Sequence, residues 1–138
     1  MMKKLLFLLA FVLCFAQIGQ AQTIRNTSNS AILTIDNNGF VRNTGNSVVA
    51  RIDSNGTIRD KSNHYLGKIE DDGTVRDRNN SYLGKVESNG TVRNGSNSVL
   101  GKVDSDGTVR DRNNHTLGTA RGVPMRIAAL YFFFDFFR

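Results

Sequence analysis

The chain has 138 residues, a formal net charge of +6 and a single cysteine, and 39% of it is hydrophobic. That length suits one domain with a modest core, and a lone cysteine excludes an intrachain disulfide framework or a thiolate metal centre. Acidic and basic residues alternate in sign along most of the sequence, which reads as a solvated surface and argues against a nucleic-acid partner.

The first element, MMKKLLFLLAFVLCFAQIGQAQ, has two lysines, an apolar run from Leu5 to Ala16 and a small-residue exit at Gly19-Gln20-Ala21. We expect residues 1–21 to be a secretory signal peptide cleaved after Ala21. The apolar run is too short for a spanning helix, which needs roughly 20 residues. Leu13 stands before Cys14, where a lipoprotein signal requires a small residue, so no lipid anchor is expected. Cleavage removes Cys14, Lys3 and Lys4. The expected location is the periplasm, the outer envelope or the medium.

From Gln22 the chain divides into six 17-residue units without insertion or deletion, covering residues 22–123. They are QTIRNTSNSAILTIDNN, GFVRNTGNSVVARIDSN, GTIRDKSNHYLGKIEDD, GTVRDRNNSYLGKVESN, GTVRNGSNSVLGKVDSD and GTVRDRNNHTLGTARGV. A strict period means that each unit occupies an equivalent place in one assembly. Within a unit, β-branched and aromatic residues in "TVRD" and "YLGKVE" alternate with clusters of Asn, Asp, Ser and Gly. The pattern predicts two short strands and two turns per unit, up to twelve strands in an antiparallel meander.

The turn before each glycine admits a two-residue or a three-residue loop. A two-residue loop in DSDGTVR would put Asp104 opposite Val109 and bury charge among aliphatics. A three-residue loop of Ser105, Asp106 and Gly107 pairs Val103 with Val109 and Lys102 with Arg110, so every aliphatic pair shares one face. That register predicts a core of Ile24, Val41, Ile58, Val75, Val92 and Val109 with Ile35, Ile52, Ile69, Val86, Val103 and Ala120. Gly67, Gly84, Gly101 and Gly118 face the same way, which points to a close approach by another part of the chain. Leu66, Leu83, Leu100 and Leu117 fall on the charged face, a conflict that a bulge near the glycine would relieve.

After the sixth unit comes GVPMRIAALYFFFDFFR. Pro124 suits a helix start, and Met125 to Phe137 is expected to form a helix that is apolar nearly all round, with a strand as the alternative for so aromatic a run. Ile127, Leu130, Tyr131, Phe132, Phe133, Phe134, Phe136 and Phe137 are then candidates for a hydrophobic plug inside a ring of repeats or for contact with a membrane surface. A partner-binding tail is the third reading. The segment, residues 124–138, is too short to span a bilayer.

The units carrying "DGTVRD", "N" and "LGKV", behind an export signal and ahead of a phenylalanine-rich tail, resemble the bacterial 5-fold β-flower proteins. The resemblance covers essentially all of the chain after residue 21. It implies an all-β fold: a closed, shallow antiparallel β-hairpin ring with the hydrophobic C-terminal helix packed in its centre. Hairpins centred on Gly39, Gly56, Gly73, Gly90 and Gly107 would be petals, and the end segments Thr23 to Asn26 and Thr116 to Ala120 would pair to close the ring. The architecture is also similar to tubby and scramblase barrels, which are linked to lipid. The family brings no established activity, and the step to lipid is analogy of fold. The runner-up is an open solenoid with one unit per coil; a transmembrane barrel would need strands of about 9–11 residues, longer than these.

Candidate chemistry is sparse. Read as an EF-hand loop, DSDGTVR puts Lys102 at the first ligand position and Asn113 at the twelfth, where glutamate belongs, so a turn fits better than a calcium site. His64 and His115 occupy equivalent polar turns and make no zinc cluster. Serines recur in turns without a converging histidine and acid, so no hydrolase is expected, and no cofactor is implied. Arg25, Arg42, Arg59, Arg76, Arg93 and Arg110 recur once per unit, as do Asn29, Asn46, Asn63, Asn80, Asn97 and Asn114. The arginines read either as cross-strand partners of Asp and Glu or as a ring contacting anionic head groups or glycans. The expected function is a non-enzymatic structural or lipid-associated binding module of the cell envelope. A soluble glycan-binding or adhesive module acting through the polar turns is the alternative.

Overall fold

The computed structural model describes residues 22–137, so the expected signal peptide and Cys14 lie outside the described residues. The strands are β1 (Gln22–Arg25), β2 (Ala31–Ile35), β3 (Phe40–Asn43), β4 (Val48–Ile52), β5 (Thr57–Asp60), β6 (Tyr65–Ile69), β7 (Thr74–Asp77), β8 (Tyr82–Val86), β9 (Thr91–Asn94), β10 (Val99–Val103), β11 (Thr108–Asp111) and β12 (Thr116–Thr119). A helix, α1 (Met125–Phe134), follows them. Each strand pairs antiparallel with the next, and β1 pairs with β12 through Arg25 and Thr119. The twelve strands thus form a closed barrel, the ring expected from the resemblance. Closure leaves no unpaired edge, which an open solenoid would expose at both ends.

Turn chemistry sets the register. In β10 and β11, Val103 pairs with Val109 and Lys102 with Arg110. The Asp104 N–H donates to the Thr108 carbonyl at 2.8 Å, and the Gly107 N–H to the Asp104 carbonyl at 2.9 Å. The loop is therefore Ser105, Asp106 and Gly107. Gly107 has φ +91°, and a Cβ there would stand 2.8 Å from the Arg121 backbone nitrogen. Only glycine satisfies both conditions.

The leucine conflict resolves as a bulge. Between β9 and β10, Val99 pairs with Arg93 and Gly101 with Val92, leaving Leu100 as the extra residue. The same shift sets Leu66, Leu83 and Leu117 aside in their units, with Ile32 and Val49 at the equivalent places. Each bulged residue is half-buried and packs against the core. A bulge lets two neighbouring residues lean inward, which strict alternation forbids.

The inward face holds the expected aliphatics with one correction. Ile24, Val41, Ile58, Val75, Val92 and Val109 are fully buried, and Ile35, Ile69, Val86, Val103 and Ala120 are buried with them. Ile52 is only half-buried. The helix lies against β8 and β10, and Ala50 of β4 is nonetheless fully buried, so the partial exposure on that strand is confined to Ile52 at its loop end. Side-chain size around the ring follows the same lean. The six equivalent inward positions are Leu33, Ala50, Gly67, Gly84, Gly101 and Gly118. Large and small aliphatics fill the wall that the helix leaves, and glycines line the wall it approaches.

A methyl added at Gly101 would lie 2.6 Å from Phe133 Cζ, at Gly118 2.9 Å from Phe132 Cζ, at Gly84 3.0 Å from Phe134 Cε1, and at Gly67 2.9 Å from Phe136 Cε1. Four rings thus seat on four glycines, the close approach those glycines predicted. The helix starts at Pro124, whose carbonyl accepts from the Ile127 and Ala128 N–H groups. Arg126 ties this start to the ring through the carbonyls of Glu70, at 3.0 Å, and Asp71. It ends at Phe134, three residues short of the expected Phe137. Asp135 takes a left-handed conformation, φ 64°, which turns the chain back so that Phe136 covers Gly67 and Phe137 is buried. An apolar pattern cannot reveal such a stop, because the residues on both sides are equally apolar.

Candidate functional site

The two ends of the barrel differ. One end carries the five glycine-containing hairpin loops and the start of α1. At the other end are the second turns of the six units and the end of α1. Each second turn is organised by an Asx side chain. In the third unit, Asp60 Oδ1 accepts the N–H groups of Ser62 and His64, both at 2.9 Å. Asn26, Asn43, Asp77, Asn94 and Asp111 do the same in their units. Asn29, Asn46, Asn63, Asn80, Asn97 and Asn114 take φ of 64° to 71°, a region that asparagine tolerates better than most residues. Donation from the His64 and His115 backbones holds the Asp60 and Asp111 carboxyls below their ordinary value.

The six arginines stand at equivalent positions around the outer wall. Five meet the carboxylate just after the preceding strand: Arg42 with Asp36 at 3.7 Å, Arg59 with Asp53 at 3.4 Å, Arg76 with Glu70 at 2.8 Å, Arg93 with Glu87, and Arg110 with Asp104 at 3.2 Å. Arg25, Arg42, Arg59, Arg76 and Arg93 also donate through Nη1 to the carbonyl of Asn29, Asn46, Asn63, Asn80 and Asn97. Arg110 reaches Thr116 Oγ1 instead, at 3.1 Å. The side chains of the five paired arginines are 30 to 35% exposed. Pairs so exposed contribute about 0–1 kcal/mol each.

The acids of DSDGTVR serve the hairpin. Asp104 Oδ2 accepts from Arg110 Nε, and Asp106 Oδ1 accepts the Thr108 N–H at 2.9 Å. His64 and His115 are exposed and lie 3.1 and 3.4 Å from Asp60 and Asp111. Among the described residues no three His, Cys, Asp or Glu side chains are grouped to hold a metal ion.

The C-terminal candidates divide by depth. Leu130 is fully buried and Phe137 nearly so, while Ile127, Tyr131, Phe132, Phe133, Phe134 and Phe136 are half-buried against the core. At the second-turn end, Phe134 and Phe136 join Leu66 and Leu83 in an open cleft of about 820 Å³. Around its rim stand Asp60, Lys61, Asp77, Arg78 and Asp135, a mixture of both signs. Tyr65 and Tyr82, each one residue before a bulged leucine, are exposed on the outer wall. Sequence reading nominated the phenylalanines of this mouth but not Leu66 and Leu83. Their signal was present as the misfit of a leucine on a charged face. Among the described residues no helix is long and apolar enough to cross a membrane.

A family model described as 5-fold beta-flower protein matches residues 21–137. No curated protein matches the chain, and no solved structure does.

Proposed function

The chain belongs to the 5-fold beta-flower family, and from that premise we propose that it is an exported, non-enzymatic module of the cell envelope that contacts lipid end-on. The supporting observation is the mouth at the second-turn end, where the half-buried Phe134 and Phe136 meet Leu66 and Leu83 inside a rim of mixed charge. Apolar and aromatic groups in the centre suit the acyl boundary of a bilayer, and rim charges of both signs suit zwitterionic head groups. The exposed Tyr65 and Tyr82 add the amphipathic rings favoured at such interfaces. The export signal read in residues 1–21 carries the envelope location.

Co-sedimentation with phosphatidylcholine vesicles, with and without phosphatidylglycerol, tests the proposal. The intact protein is expected to pellet with both. The double variant Leu66→Ser/Leu83→Ser is expected to lose more than half of that binding while keeping its near-UV dichroism. Intact folded protein that stays in the supernatant with both vesicle types overturns the lipid function. A glycan-array signal without vesicle binding would transfer the function to the polar turns.

A further inference from the structure

We propose that the seam between β1 and β12 is a binding site for a compact oxyanion of the phosphate class. The repeat itself carries the argument. In two of the five hairpins a carboxylate sits between two basic side chains of the paired strands, and in the other three it pairs with one arginine. Asp53 takes Arg51 on Oδ1 at 2.9 Å and Arg59 on Oδ2 at 3.4 Å. Glu70 takes Lys68 at 3.6 Å and Arg76 at 2.8 Å on Oε1.

The seam departs from this layout at two places: Thr119 stands where those hairpins have Arg51 and Lys68, and the acid is replaced by a base. Arg25 stands in the place of Arg42, Arg59, Arg76, Arg93 and Arg110. The residue in the place of their acids Asp36, Asp53, Glu70, Glu87 and Asp104 is Arg121. Both arginines line one cavity of about 640 Å³, with Thr23, Thr119 and Asn29 completing the wall and no carboxylate among the lining residues. Among the described residues neither Arg25 nor Arg121 forms an ion pair with a carboxylate. Asp106 lies near enough to feel the Arg121 charge, but its Oδ1 accepts the Thr108 N–H and it makes no ion pair with Arg121.

Arg25 donates Nη1 to the Asn29 carbonyl at 3.1 Å, which is one of five guanidinium N–H donors. Two like charges facing one cavity repel, and an oxyanion between them supplies the negative charge that a carboxylate supplies in each of the five hairpins. Guanidinium forks match the paired oxygens of phosphate, and threonine hydroxyls supply neutral donors beside them. The same chemistry is presented by free phosphate, by a phosphorylated sugar and by a phosphate-bearing lipid head group. The site is independent of the apolar mouth at the second-turn end.

The test is an amide-shift titration of the intact protein with inorganic phosphate at constant ionic strength. We expect saturable shifts at Arg25, Thr119 and Arg121, and at least ten-fold weaker binding in Arg121→Glu, which restores the acid found in the five hairpins. Arg121→Gln gives the same reading should the glutamate variant misfold. Arg112→Glu makes an equal charge change at an exposed second turn and is expected to bind as the parent does. Shifts that chloride reproduces, Arg121 variants that bind unchanged, or an Arg112→Glu variant weakened as much as Arg121→Glu would each overturn the site. Phosphatidylcholine vesicles with phosphatidic acid separate the sources. Vesicle binding that inorganic phosphate competes away assigns a lipid head group, and phosphate binding without vesicle binding assigns a soluble phosphate.

Discussion

The five closed hairpins and the seam are made from the same repeat, yet they are held together differently. In β10 and β11 the strands pair through three register partners, joined by a loop whose glycine and Asx residues set the turn locally. β1 and β12 share one register partner, Arg25 with Thr119, and no loop connects them. The chain leaves β12 into α1 where a sixth loop would stand. A hairpin forms from neighbours in sequence and loses little chain entropy, whereas the seam must bring together residues from the two ends of the ring. The plug is placed to support closure, because Phe132 seats on Gly118 of β12 and Leu130 is sealed inside.

The largest effect that separates the two regions is removal of the plug. A chain ending at Val123 is expected to lose its cooperative thermal transition. Fully buried side chains such as Leu130 contribute about 1.5–3 kcal/mol each, and several together reach the few kcal/mol by which domains are stable. Near-UV dichroism and a melt check this, and a retained sharp transition would mean that hairpin pairing alone closes the ring. Next in size is Gly101→Val, which drives a side chain against Phe133 and the Arg110 carbonyl in a strand paired on both sides. Urea unfolding is expected to show a loss of about 3 kcal/mol. Gly118→Val should cost less, because β12 can shift at the loosely paired seam, and equal losses would show that the seam is as rigid as a hairpin.

The smallest effect is acid titration, which should not distinguish the regions. Asp60, Asp72, Asp106 and Asp111 are held below their ordinary value of 3.8, chiefly by backbone N–H groups of His64, Thr74, Thr108 and His115. A lowered folded-state value favours the ionised native form. The stabilisation is complete above 3.8 and is lost as pH falls through the lowered values. Thermal melts should be flat above that pH and decline modestly below it, with hairpin and seam amides reporting together.

Much of the ring could be read from particular residues. Val103 and Val109 had to share a face, which forced the three-residue loop, and the loop placed the inward glycines. Leu100 on a charged face already implied the bulge. Other features had no local sign. Ile52 has the same pattern as Ile69, yet it is half-buried where Ile69 is buried. Asp135 breaks an apolar run without marking where the helix turns. Arg121 in place of an acid is visible in the repeat, but its meaning depends on which strand lies beside β12.

Local chemistry thus determined the turns, the register, the twelve strands and the inward face, because each follows from residues a few positions apart. Tertiary structure decided the rest: that β1 completes the circle, that the helix lies against β8 and β10 and leaves a mouth beside Phe134, and that Arg25 and Arg121 face one cavity. Those outcomes depend on contacts between the two ends of the chain, and no short stretch of sequence encodes its distant neighbour.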